Sequence, residues 1–295
     1  MEKQNPFSLA FWKSRTQLLL LLYAVSLLLL FLLAKLFLPQ RVGADAALSL
    51  SLSLIFSLLL PAAFCLYMED GEVFLLTDSP FSWQMLGRTL SALLSALALS
   101  VGYKALLLYL GKELSYGILA LSPEAPTPLT YLAFGLLPAF LEEWLCRGLV
   151  FSRLRQYGAL PVALLTAVLS AVLYFPSPLA LPFFLLLGLL FSLLRAAVGS
   201  FYPTFFLAAT VRVLLVYQAL TPLSLWQLEG QNMLLLALGG IFLFLLFAGF
   251  ALIFPQMKRI LKSGKGKDIS LSSLLLSPVL WGTAGLATLF YLLLY

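Results

Sequence analysis

The sequence predicts an all-α fold, a polytopic transmembrane helical bundle of about nine spans with a cytoplasmic N-terminus. Of its 295 residues, 62% are hydrophobic and 10% charged, and the mean hydropathy is +1.03. Soluble globular domains carry roughly 25% charged residues. Long Leu-rich stretches recur along the whole chain, and a helix needs about 20 such residues to cross a hydrocarbon core about 30 Å thick. Lipid admits helices or closed barrels, because every backbone polar group must be satisfied internally. Barrel strands alternate apolar and polar residues over about ten positions, and these Leu runs do not alternate.

The spans fall near 17–38, 46–67, 88–110, 128–150, 159–176, 178–199, 200–220, 233–254 and 271–294. The first follows Lys3, Lys13 and Arg15; it is too long for a signal-peptide core, lacks a small-residue cleavage site, and reads as a retained anchor. Pro39, Pro126, Pro128, Gly158, the Pro176-Ser177-Pro178 turn, Gly199-Ser200 and Pro255 separate the spans as helix stops or starts. Three parts result: N-terminal helices over 1–127, a four-span core over 128–220, and a C-terminal helical pair with a basic loop over 221–295.

Orientation follows from the basic residues. With the N-terminus inside, the inner connections hold Arg88, Arg153, Arg155, Arg195 and the cluster Lys258, Arg259, Lys262, Lys265 and Lys267, whereas the outer ones hold Arg41 and Lys112, with Lys35 close by. The net charge of +6 thereby reads as cytoplasmic loop charge rather than as a nucleic-acid surface. Membrane lipids are the expected surroundings, in a plasma or inner membrane. The 256–268 loop fixes topology or attracts anionic lipid. Cys65 and Cys146 lie within apolar segments and carry no redox information.

Ionisable side chains at span depth are unfavourable by roughly 2.5–3.5 kcal/mol even on the lenient insertion scale, and they mark function. Lys104, Glu142, Glu143, Arg147 and Arg212 occupy such positions. Lys104 is near enough to the outer end of its span to snorkel. In an α-helix Glu143 and Arg147 stack four residues apart as an ion pair, and Glu142 points elsewhere, towards a partner on another helix.

The run Glu142-Glu143-Trp144-Leu145-Cys146-Arg147-Gly148 resembles the Glu-Glu-x-x-x-Arg motif of the CPBP intramembrane proteases, also called the CAAX-protease or Abi family. The resemblance extends over about 128–215, through Thr166 to Tyr174, the Pro176 and Pro178 turn, Gly188, and Gly199-Ser200-Phe201-Tyr202-Pro203 onward to Arg212. In that frame the family's first histidine falls on Tyr174, with Ser170 four residues before it, and the second falls on Ala208, with Arg212 in the place of an Asn. The chain contains no histidine at all.

The resemblance implies a peptidase site in which the first Glu activates water and the histidines polarise water or carbonyl, or hold a metal. Such chemistry draws on a group that titrates near neutral pH, or on neutral imidazole as a ligand. Tyr174, Ala208 and Arg212 provide neither. The expectation is therefore the family fold with Glu142, Glu143 and Arg147 as a vestigial catalytic motif, no metal, no cofactor, and a transmembrane protein or peptide as partner. The guanidinium of Arg212 is expected to reach Glu142 or Glu143 through the space at Ala208, with the Tyr174 hydroxyl adding a hydrogen bond. An Arg212 facing a polar cavity or headgroups is the alternative.

Counting about 1.5 Å per residue puts Glu142 and Ala208 roughly 12–14 Å deep but Tyr174 nearer 24 Å, which leaves Ser170 as a competing position. A glutamate-dependent divergent peptidase and a polar transport pathway remain as other readings of the same cluster.

Overall fold

The computed structural model describes residues 82–109, 128–154, 159–173 and 181–220, together with single positions at 25, 29, 52, 55 and 239. Side chains are described over 82–103, 128–152, 159–171 and 181–217 within those segments. The expected spans at 17–38, 46–67, 233–254 and 271–294, and Tyr174, lie outside the described residues.

Five helices make up the described segments. They are α1 (Trp83–Tyr109), α2 (128–154), α3 (Ala159–Leu173), α4 (Leu181–Val198) and α5 (Phe201–Leu220). Among them, Trp83–Tyr103, Pro128–Val150 and Leu181–Val198 are long and apolar enough to cross a membrane, and Ala159–Ala171 and Phe201–Tyr217 are shorter apolar helices. α3 packs most closely on α4, α1 lies against α4 and α5, and α2 runs beside α5 with its second half reaching α3.

Local chemistry sets the ends. Ser82 caps α1 by accepting from Met85 N–H at 3.2 Å, and Leu86 N–H reaches the Ser82 carbonyl. α1 thus begins five residues before the expected boundary at 88, and Arg88 lies inside the helix rather than in a connection. Its Nη1 donates to the Ala197 carbonyl at 2.6 Å, placing a cation on the orphan carbonyls that end α4. Pro161, Pro182 and Pro203 each fall in a first turn, where the missing N–H has no intrahelical partner to lose. α4 stops at Gly199, whose φ of 74° lies in the left-handed region and whose N–H donates to the Arg195 carbonyl at 2.9 Å. The chain turns there directly into α5.

α2 is not a uniform α-helix. Residues Leu132–Leu136 and Trp144–Val150 form wide π-turns, with Leu137 N–H bonded to the Leu132 carbonyl and Phe151 N–H to the Cys146 carbonyl, five residues back. The first precedes Pro138, whose ring in an α-helix clashes with the carbonyl four residues earlier. The second lies across the acidic motif.

The core is built from small and large side chains together. Ala92, Ala96 and Leu99 of α1 meet Phe183, Phe184, Leu187, Phe191 and Leu194 of α4, closed by Ala171 of α3 and Leu207, Ala208 and Leu215 of α5. Small residues let helix backbones approach where apolar surroundings give little drive to associate. Hydroxyls at buried positions are satisfied within their own helix: Ser95 on the Ser91 carbonyl, Ser100 on Ala96, and Thr204 on Phe201.

Candidate functional site

Three helices converge on Arg147. Its side chain is 0% exposed and every guanidinium nitrogen is engaged. Nε donates to Ser192 Oγ at 3.2 Å, Nη2 to the Gly188 carbonyl at 2.8 Å, and Nη1 to Glu142 Oε1 at 3.3 Å and to Ser170 Oγ. Nη1 also lies 3.0 Å from Glu143 Oε1. The Phe191 ring sits against the guanidinium, 5.8 Å from centroid to Cζ. A planar fork with five N–H groups suits this position, because the acceptors lie around one plane on α2, α3 and α4.

Regular α-helical geometry gives Arg147 to Glu143 alone and turns Glu142 away. The structure corrects that expectation. In the π-turn over Trp144–Val150, residues five apart lie on adjacent turns, so Arg147 reaches Glu142 as well as Glu143. The second carboxylate is shared rather than left over.

From the opposite side, Arg212 of α5 places Nη2 2.7 Å from Glu142 Oε2. Glu142 is 4% exposed and Arg212 6%, so this is a buried, charge-assisted contact. The Phe184 ring lies 5.2 Å from the Arg212 Cζ. Ala208, one turn before Arg212 on α5, is buried in the apolar core. Of the two acceptors open to Arg212 in the sequence, Glu142 accepts a hydrogen bond from it. Glu143 is completely buried, and the Thr204 hydroxyl beside it gives its proton to the Phe201 carbonyl at 2.7 Å.

Several partners were not singled out in the sequence. Ser192 accepts from Arg147, contacts Thr166 Oγ1 at 2.9 Å and donates to the Gly188 carbonyl at 2.8 Å. Ser170, considered only as a possible former histidine position, is an Arg147 acceptor. Arg195, expected at the cytoplasmic boundary, is instead 2% exposed. Its Nε donates to the Arg147 carbonyl at 3.2 Å and its Nη2 to Ser152 Oγ at 3.3 Å, with the Phe151 ring beside it. The available signal was spacing: Thr166 and Ser170 on α3, and Gly188 and Ser192 on α4, are each four apart and share a helix face.

Glu142 therefore has one oxygen on Arg147 and the other on Arg212. Among the described residues, no three His, Cys, Asp or Glu side chains group together as a metal site.

These features define a helical membrane protein built around a buried cluster of two carboxylates and two guanidiniums. The family model described as Rce1-like, type II CAAX prenyl endopeptidase, matches residues 124–214. That segment, which holds the whole cluster, belongs to the CAAX-protease (CPBP) family. No curated protein and no solved structure matches the chain.

Proposed function

We propose that this CAAX-protease-like membrane protein no longer hydrolyses peptides and instead binds or scaffolds a transmembrane protein or peptide partner. The contact between Arg212 and Glu142, 2.7 Å long, carries the proposal, because it occupies the carboxylate that the family resemblance assigns to water activation. A chain without histidine has no side chain of normal pKa near neutrality to take over that role. The same reading includes about nine spans, a cytoplasmic N-terminus and a plasma or inner membrane location. The three parts 1–127, 128–220 and 221–295 then act as an anchor, a core and a C-terminal helical pair joined by a basic cytoplasmic loop.

Retention of the complete Glu-Glu-x-x-x-Arg motif favours one competing reading, a divergent peptidase in which Glu142 activates water and Arg212 stabilises an oxyanion. A cleavage assay separates the two. Purified, detergent-solubilised protein is expected to leave prenylated and transmembrane peptides intact, and Glu142→Ala to behave identically. Cleavage by the unaltered protein that disappears in Glu142→Ala would refute the non-catalytic reading. The partner is sought by mass spectrometry of material that co-purifies from native membranes.

A further inference from the structure

We propose that Arg212 commits α2 to the membrane: α2 becomes a stable span only when α5 arrives and supplies that guanidinium. The membrane-spanning stretch of α2, Pro128–Val150, carries Glu142, Glu143 and Arg147, one net negative charge with all three ionised, and it is less apolar than α4; Arg153 follows it at the span's end. Arg212 lies 70 residues further along the chain than Glu142. During synthesis, therefore, α2 meets the bilayer before its second counter-ion exists. Ionised groups at span depth are unfavourable in lipid unless paired, and the 2.7 Å contact with Glu142 makes the pairing. α2 waits at the interface, or in a protein-lined conduit, while α3 and α4 are made, and then closes against α5. The inference rests on α2 spanning a membrane and is independent of whether the site hydrolyses anything.

Cys146 is a native reporter of this step. It is buried in the folded chain, one residue from Arg147, and becomes accessible to water if α2 stays outside the bilayer. The full chain with Cys65→Ala is pulse-labelled in permeabilised membranes and treated with a bulky, membrane-impermeant polyethylene-glycol maleimide. Cys146 is expected to stay unmodified in this background and to be modified several-fold more in Arg212→Leu. The double variant Glu142→Gln/Arg212→Leu, in which the stretch Pro128–Val150 is formally neutral, is expected to regain protection. Protection of Cys146 in Arg212→Leu overturns the proposal. So does a double variant as reactive as the single one, because loss of packing around Arg212 would then be the cause rather than unpaired charge. Peptidase activity is not read in this experiment, so its outcome leaves the non-catalytic reading to be judged separately.

Discussion

Arg147 shows how much one side chain can organise. Its guanidinium touches α3 through Ser170, α4 through Gly188 and Ser192, and its own helix through Glu142 and Glu143. Removing one member of a buried charge network leaves the others unpaired, at a cost of about 3–5 kcal/mol. Arg147→Met is expected to lower thermal stability in detergent by that order. Arg147→Lys should fall between the two, since an ammonium supplies charge but cannot serve three helices in one plane. Equal unfolding midpoints for Lys and Arg would show that the fork geometry contributes nothing. At this scale the sequence was informative about identity and less so about pairing. Ionisable residues in an apolar run identified Glu142, Glu143, Arg147 and Arg212 directly. Arg195 escaped because nearness to a span end suggested solvent, whereas its depth depends on Phe151 and Ser152 packing around it.

At the scale of the element, helix geometry decided which acid meets which base. The four-residue rule assumes an α-helix, and the wide turn over Trp144–Val150 breaks that assumption. No periodicity count detects this turn, because it involves a change of pitch rather than of residue type. Close helix approach was also only partly legible: Gly188 was noted as a glycine within a span, but its neighbours were not visible. A Cβ there would lie 3.0 Å from the Ala167 carbonyl oxygen and 3.2 Å from Arg147 Nη2. Gly188→Ala is expected to push α3 from α4, disturb the Arg147 contact and cost about 1–3 kcal/mol. Thermal unfolding of the purified variant measures this, and an unchanged midpoint would mean the helices separate without penalty.

For the molecule as a whole, the helical class and the positions of α2 to α5 could be read from Leu-rich runs and from Pro and Gly punctuation. The start of α1 could not, because Arg88 looked like loop charge until its bond to the Ala197 carbonyl gave it a place within the bundle. The proposed topology makes a direct prediction. Reporter enzymes active only in the cytoplasm are expected to work when fused within 155–158 or 258–268, and to be silent within 221–232. The reverse pattern would invert the chain.

The links between α2 and α4 also decide how this protein can move. Arg147 is tied to α4 by its side chain, through the Gly188 carbonyl and Ser192, and by its own carbonyl, through Arg195. Sliding one of these helices along the other breaks all of these bonds at once. α5 is held to the cluster by Arg212 and joins α4 at the tight corner of Gly199. Opening the cluster on that side therefore means parting α5 from α2, which it runs beside and meets through Phe201 and Phe205 on Phe140, as well as breaking the Arg212–Glu142 contact.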